Sequence, residues 1–516
     1  MHISAVHKST PGRLLARNAL WNIMGQTAPM LVAVFAIPRL IQTLGTARFG
    51  VLTIAWMVVG YFSFFDFGLG RALTKVVADK LGEKKEHELP HLVWTSLGAI
   101  CLLGTAGALV LLSGAHLLVH SALKIPDALR PETLRSFYIL AFAIPIVTVS
   151  TGLRGVLEAH QEFALLTAIR IPLGIFTFVG PLLVLTFSRS MVAVVVALLA
   201  ARLITCVAHF LACIVKMPEL RHGLGFEWSS LRDIFHLGGW MTVSNLTSPL
   251  LVYMDRFMIG ALVSVTAVAY YATPFEMINK LLIIPSAMMG PLFPAFAMNS
   301  ARQDHARSRL FFWRAVKYIF LIVFPITLLT VAFAPEALNF WLGQAFAQQS
   351  APVLRWLAVG ILVNCMSVVA AAMVQGYGRP DIAAKFHLSE VPFFLGTLYL
   401  GLHWYGILGA AVAWTLRVTL DACLLFTAAA RLSADPHPAW RRVIPATLAT
   451  AAALLLSTFS FPLVAKVSIV ACLLLAYAAC AWCLLDAYER VLVMTLGRTH
   501  PVPTSTSVPL SAALSD

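Results

Sequence analysis

The sequence predicts an all-α polytopic membrane protein with about 14 transmembrane helices. Apolar stretches of bilayer length follow one another from residue 18 to residue 487. A bilayer core about 30 Å thick needs roughly 20 such residues per helix. The composition agrees: 59% of residues are hydrophobic, only 12% are charged, and the mean hydropathy is +0.84. A soluble domain of 516 residues needs far more polar surface than this. The ends of successive stretches also alternate between basic and charge-poor, as they do in a chain that weaves through a bilayer.

Residues 1–17 read as a cytoplasmic N-terminus. The first span, 18–43, follows a polar start and is too long for the apolar core of a cleavable signal, so it reads as an uncleaved anchor. Spans near 49–69, 92–119, 135–156, 164–187 and 190–215 make residues 18–215 an N-terminal six-helix bundle, with Ser188-Arg189-Ser190 separating the last two. A cytoplasmic linker at 216–235 leads to spans near 236–262, 266–298, 314–334, 351–376, 384–402 and 405–430, the C-terminal six-helix bundle of residues 236–430. Residues 431–488 hold two additional transmembrane helices, near 443–461 and 464–487. The segment 489–516, Pro/Ser/Thr-rich at Thr499–Ser507, reads as a disordered cytoplasmic tail. The longest segments on the opposite side, near 120–134 and 335–350, hold a helical turn but no domain, which places function within the membrane.

Charge sets the direction. With the N-terminus inside, 24 of the 37 basic residues fall on inside segments, among them Lys75, Lys84, Lys85, Arg302, Arg307, Arg309, Arg441 and Arg442. Six fall outside: Arg48, Lys124, Arg130, Arg135, Arg189 and Lys466. This bias puts both termini in the cytoplasm and accounts for most of the +14 net charge. A pI near 9.6 therefore reports topology and contact with anionic membrane lipid, and no nucleic-acid partner is expected. All eight cysteines lie in apolar spans. Cys480 and Cys483 form a CxxC with no further ligand nearby, so they read as small packing residues.

The first twelve spans divide into two sets of six. A shift of 219 residues carries Trp21 onto Trp240 and His160-Gln161-Glu162-Phe163 onto Arg379-Pro380-Asp381-Ile382. Six is even, so a repeated half keeps its orientation. This predicts a pseudo-two-fold axis along the membrane normal with a path between the halves.

The opening has Trp21-Asn22, Leu44-Gly45, Phe49-Gly50-Val51 and Asp66-Phe67-Gly68-Leu69-Gly70. The fourth helix exits through Leu157-Glu158-Ala159-His160-Gln161-Glu162-Phe163. The second half adds Asp255-Arg256-Phe257-Met258-Ile259-Gly260, Tyr270-Tyr271-Ala272 and Pro291-Leu292-Phe293-Pro294. In order and spacing these resemble the polysaccharide (lipid-linked oligosaccharide) flippases, O-antigen type, of the multidrug/oligosaccharidyl-lipid/polysaccharide exporter superfamily. The resemblance implies two six-helix bundles in a V, a central cavity and two extra C-terminal helices. It implies a flippase that moves polyprenyl-diphosphate-linked oligosaccharide across a bacterial inner membrane for O-antigen, capsule or exopolysaccharide synthesis. A polysaccharide polymerase and a chain-length regulator are the partners it suggests.

Ionisable groups within lipid are costly and should face protein or a wet cavity. Glu276 and Lys280 are four apart on one helix, as are Arg417 and Asp421, so local ion pairs forming polar seams are one reading and a lining role is the other. Adjacent Asp255 and Arg256 point about 100° apart, so one can face the cavity while the other meets a neighbouring helix. Arg39 and Arg71 lie near helix ends, where they can snorkel to headgroups or reach the substrate. Arg170, Arg202 and Arg355 have no acid three or four residues away, and a guanidinium fork suits phosphate oxygens. Arg202, Arg355, Arg170, Arg256, Lys280, Arg39 and Arg71 are thus the candidate substrate-binding cations. Asp66, Asp255, Glu276, Asp421 and Glu390 are the candidate ion carriers. Gly25 with Pro29, and Pro249 in the counterpart helix, are candidate hinges, with static curvature as the alternative. The run Phe62, Phe64, Phe65 and Phe67 can stack on sugars or simply pack.

No GxxxxGK[ST], HExxH or GxSxG motif and no clustered metal ligands occur, so no cofactor or metal is expected and ATP hydrolysis is excluded. Energy then has to come from an ion gradient or from consumption of substrate on the far side. A drug/cation antiporter of the same superfamily would call for twelve spans and an acidic, aromatic cavity. A peptidoglycan-precursor flippase shares the helix count. A membrane glycosyltransferase or polysaccharide ligase would need a large outside loop, and here only Asp127, Glu132 and Glu336 supply acids there.

Overall fold

Apolar runs poor in helix breakers become long helices, and short polar residues start and stop them. The computed structural model describes residues 11–62, 68–221, 251–434, 439–459, 461–485 and 489–490. Asp66, Pro249, Trp240, Phe64, Phe65 and Phe67 lie outside the described residues. The chain divides into two compact units, Met1–Pro445 and Ala446–Asp516.

The first unit opens with α1 (Pro11–Leu44), α2 (Thr46–Phe62), α3 (Leu69–Gly82), α4 (Leu89–Leu117), α5 (Arg130–Ala141), α6 (Ala143–Ala159), α7 (Phe163–Leu185) and α8 (Met191–Lys216). It continues with α9 (residues 251–262), then α10 (Val265–Ile278), α11 (Ile283–Ala301), α12 (His305–Leu342), α13 (Gln344–Gly376) and α14 (Pro380–Leu432). Ser264 caps α10 by accepting the Ala267 N–H at 3.0 Å, and Asp304 caps α12 by accepting the Arg307 N–H at 3.0 Å. In the first half α1 packs along α7, α7 on α8, and α6 on α3, α4 and α8. In the second half α13 is central, packed on α10, α11, α12 and α14. The halves meet where α2 packs on α10.

Among the described residues nine helices are long and apolar enough to cross a membrane. A tenth crossing is the pair Val265–Gly290 and Leu292–Ala301, bent by 41° where they meet; within the first segment Asn279–Leu282 tightens into a 3₁₀ turn after Pro274. α14 supplies two of the expected spans in one element. Gly406 breaks its helix at φ 57°, ψ −139°, and the chain doubles back. The arms press so closely that a Cβ on Gly409 would stand 1.9 Å from the Gly401 carbonyl oxygen. The expected total of 14 is therefore not reached by count: α2 is short, and 222–250, which includes most of the seventh expected span, lies outside the described residues.

One helix was not expected. The segment read as a basic loop between the second and third spans contains α3, which buries Leu69, Leu73 and Val77 against α4 and α6 and leaves Arg71 exposed. Its apolar residues recur every three to four positions, as an amphipathic helix requires. The internal repeat has a backbone signature too. Lys84 and Gln303, 219 residues apart, both turn in the left-handed region, at φ 60° and 58°. So do Gln161 and Gly378, at φ 58° and 72°, which close the fourth and tenth helix exits. At both exits a residue bonds back five positions, Glu162 to Leu157 and Arg379 to Val374. Beyond the second exit Arg379 and then Lys385 bond Asp381 and hold its carboxyl down at about 2.

Leu102, Leu109 and Leu117 on α4 and Ile204, Leu211 and Val215 on α8 are exposed, apolar surface that suits lipid and not water. α15 (Ala439–Thr458) runs across the boundary into the second unit, where α16 (Leu463–Leu484) follows, and the Arg490 guanidinium donates to the last carbonyls of α16 at Trp482 and Cys483, 3.1 and 3.3 Å away. Placing alanine at Gly409 should force the α14 arms apart and lower stability by about 1–3 kcal/mol. A thermal melt of the purified protein checks this, with Gly396→Ala, whose surroundings are open, as the control that should melt near wild type.

Candidate substrate cavity

A cavity of about 300 Å³ lies between the two halves of the first unit. The first half contributes Pro29 and Ile37 of α1, Phe49, Thr53 and Trp56 of α2, and Thr177 and Phe178 of α7. The second contributes Tyr253 and Arg256 of α9, Thr273 and Glu276 of α10, Lys280 after it, and Trp341 of α12. Aromatic rings line much of the first-half wall: Trp56 meets Phe49 and Phe178 edge-on, with centroids 6.1 and 5.4 Å apart. The Trp56 indole N–H is buried there with no hydrogen-bond partner among the described residues.

At one end of the cavity the halves are tied together. A Cβ on Gly50 would stand 2.0 Å from the Val265 carbonyl oxygen, so α2 and the start of α10 approach backbone to backbone. The Lys124 N–H donates to the Gly260 carbonyl at 2.9 Å and its ammonium to the Leu262 carbonyl at 2.5 Å. These are the last carbonyls of α9, which need partners and attract positive charge. The Trp341 indole N–H donates to the Val34 carbonyl of α1 at 2.6 Å.

The polar centre of the wall is built around Arg256. It is 2% exposed. It donates to Glu276 Oε1 at 2.8 Å and to the Val252 carbonyl at 2.8 Å, and lies over the Phe275 ring, 4.5 Å from its centroid. Asp255 faces away, as adjacent residues on a helix must: its carboxylate accepts the Tyr271 hydroxyl at 2.6 Å and the Arg256 N–H at 2.7 Å. The anticipated Glu276–Lys280 pair is not formed. Glu276 takes Arg256 instead, because the switch from α to 3₁₀ geometry at Asn279 moves Lys280 out of the i, i+4 register. Lys280 is left exposed on the cavity wall with no ion-pair partner among the described residues.

A second cluster spans the α14 hairpin. Arg417 meets Glu390 at 3.5 Å, and Asp421 accepts the Ser367 hydroxyl at 3.0 Å with His387 Nε2 at 3.4 Å. The anticipated Arg417–Asp421 pair is thus also replaced by partners on other segments.

Of the remaining sequence candidates among the described residues, only Pro29 lines the cavity. It fills the space that a side chain on Gly174 of α7 would need, while Gly25 packs against Thr167; α1 runs through both without a break. Arg170 is exposed beside Gly25. Arg202 is half-buried on α8 and away from the cavity wall. Arg39 and Arg71 are exposed on α1 and α3. Arg355 lies in a separate groove of about 390 Å³ that it shares with Glu336, Asn339 and Gln348, and its Nε donates to the Val331 carbonyl at 3.1 Å. Trp56, Tyr253 and Trp341 of the wall carried no sequence signal beyond being aromatic in apolar runs. Tyr271 stood in a motif, but its bond to Asp255 could not be read there.

A multi-helix bundle with a cavity between repeated halves defines a membrane transporter, and comparisons with known proteins place it. The family described as "Polysaccharide biosynthesis protein" matches residues 39–351. The protein of Shigella flexneri named "Putative O-antigen transporter" is 31% identical over 414 residues, 80% of this chain and 96% of that one. Among solved structures, an inward-facing multidrug resistance MATE family transporter of the MOP superfamily aligns with a TM-score of 0.66 at 17% identity, covering 80% of this chain and 98% of that one. A MOP superfamily transporter from Pyrococcus furiosus aligns at 0.60 and 15% identity, covering 83% and 97%. The chain belongs to the polysaccharide biosynthesis protein family. It is a multi-pass transporter, not an enzyme.

Arg256 sits between two acids, so its removal leaves Asp255 buried without its cation. Arg256→Ala should cost about 3–5 kcal/mol, whereas Glu276→Gln, at a half-exposed carboxylate, should cost under about 1 kcal/mol. Thermal stability of the two purified variants separates these outcomes.

Proposed function

We propose that the chain is a flippase that carries polyprenyl-diphosphate-linked oligosaccharide from the inner to the outer leaflet of a bacterial inner membrane, with both termini in the cytoplasm. The observation that carries this reading is Lys280, a cation on the cavity wall with no ion-pair partner among the described residues, in the same cavity as the aromatic rings and the unpartnered indole N–H of Trp56. An ammonium attracts diphosphate oxygens. Aromatic faces and a free N–H suit the sugar next to it, and the prenyl tail stays in lipid. The name of the Shigella flexneri relative supports the same cargo class.

The cavity, about 300 Å³, is at the small end of ligand pockets. It suits the charged head and first sugar; a longer glycan requires the halves to part. On this reading the tied end, with Lys124, Gly50 and Trp341, is the periplasmic closure, and rocking of the halves breaks it to give alternating access. Of the seven cations expected to bind substrate, Arg256 and Lys280 serve the cavity. Arg39, Arg71, Arg170, Arg202 and Arg355 are left to headgroup or surface roles. An acidic cavity suited to cationic drugs is not favoured, since Glu276 is neutralised by Arg256.

Two outcomes are expected. In a strain lacking the chromosomal gene, Lys280→Gln should lower export of lipid-linked repeat units on the order of ten- to a hundredfold, the worth of one charge-assisted bond, with units trapped on the cytosolic leaflet; Lys280→Arg should retain most activity. Normal export by Lys280→Gln at normal protein levels would reject the anchor. Lys124→Ala should weaken the closure by about 1 kcal/mol, read as roughly fivefold faster labelling of Thr53→Cys by an impermeant thiol reagent from outside, in a background lacking the native cysteines.

A further inference from the structure

The α14 hairpin cluster leaves buried polar atoms unpaired. Glu390 is 1% exposed and Asp421 7%, and the Asp421 carboxyl stands close enough to Glu390 to act on it electrostatically. Glu390 Oε1 is buried with no hydrogen-bond partner among the described residues, as is Arg417 Nε, and Asp421 Oδ1 has only the His387 Nε2 contact at 3.4 Å. Ordinarily every buried polar atom of this kind finds a partner. The groups that face the pair are Arg417, across the hairpin; His387, one turn from Glu390 and partly exposed; Ser367 of α13; and Asp255 and Tyr271, which act on it through Arg417. With His387 neutral, two carboxylates and one guanidinium leave a net charge of −1 in a medium that does not tolerate one. A proton between the carboxyls removes that charge and supplies the missing donor.

We infer that Glu390 and Asp421 share one exchangeable proton, and that Arg417 transmits its arrival to Asp255 behind the cavity wall. The proton enters from the side of His387, the partly exposed member, and one O–H forms between the carboxyls. Arg417 is then held less tightly by Glu390 and more by Asp255, with which it already interacts. Asp255 is also an electrostatic partner of Arg256, at 3.8 Å, so drawing it toward Arg417 changes the hold on the wall arginine that faces the cargo. Phe275, stacked over Arg256 and in ring contact with Trp414 of the second α14 arm, makes the two clusters mechanical neighbours as well. A sodium ion is the poorer occupant, because the Arg417 guanidinium already stands beside the pair.

This deepens the transporter reading by naming its coupling ion, and its test needs no cargo. Infrared difference spectra of the purified full chain in lipid, taken between acid and alkaline pH, should contain one protonated-carboxyl C=O band that disappears in both Glu390→Gln and Asp421→Asn and persists in Glu276→Gln. If an amide variant does not purify, Glu390→Asp or Asp421→Glu should keep the band at a changed frequency. Asp255→Asn leaves Arg417 wholly to the pair and should move loss of the band to lower pH. Retention of the band in either amide variant, or its removal by sodium at constant pH, overturns the shared proton; an unmoved titration in Asp255→Asn overturns the link. Either failure leaves the cargo assignment standing, and an error in the cargo leaves the band in place.

Discussion

The structure is organised by the price of an ionised group in hydrocarbon. Each interior charge must find an opposite charge, a carbonyl or water, and in this chain the partners come from other helices. Arg256 on α9 takes Glu276 on α10, Arg417 on one α14 arm takes Glu390 on the other, and Asp421 takes Ser367 on α13. The polar bonds therefore do what apolar packing cannot do in lipid: they fix which helix lies beside which. Asp255, wholly buried, accepts the Tyr271 hydroxyl and stands 3.8 Å from Arg256. These polar groups lie in the second half, and Arg256 and Glu276 bring them to the cavity wall.

That cross-helix pairing explains where sequence reasoning succeeded and where it failed. Span positions were legible because lipid imposes a length and composition on every helix, and α4, α7, α8, α12, α13 and α16 fall where the hydropathy places them. The amphipathic α3 was hidden by its own basic residues, which made it look like a loop. The α14 hairpin was legible as two spans, since 384–402 and 405–430 divide a few residues before Gly406, but not as one helical element. The repeat was faint in side chains and plainer in the backbone, where Lys84 and Gln303 share a left-handed turn with no shared residue type.

Within the site, residue types were readable and pairings were not. The i, i+4 rule names the nearest partner on an isolated helix, and it assumes that helix is regular. Near Lys280 it is not regular, and near Asp421 a partner on the opposite arm competes. Among the arginines chosen for lacking a local acid, Arg355 has no acid within four residues, yet Glu336 on the preceding helix shares its groove. Lys280, whose local acid seemed to account for it, is the cation left facing the cavity. A local-sequence test of pairing thus selects nearly the wrong set whenever tertiary partners dominate.

The tied end of the cavity has a different chemistry from the polar bonds of the second half, and the difference bears on motion. Charged pairs hold the second half together internally, where separation would strand ions in a medium that penalises them severely. The halves are joined to each other mostly by neutral contacts: the Gly50–Val265 backbone approach, the Trp341–Val34 bond, and Lys124 on the carbonyls of Gly260 and Leu262. Water can replace the Trp341 and Lys124 bonds at modest loss, since a hydrogen bond exchanged with water is worth only about 1 kcal/mol, and the Gly50–Val265 approach is a packing contact. The Lys124 ammonium remains well solvated when released. Bonds within the second half are thus costly to break and those between the halves are not, which is the distribution that the proposed alternating access requires.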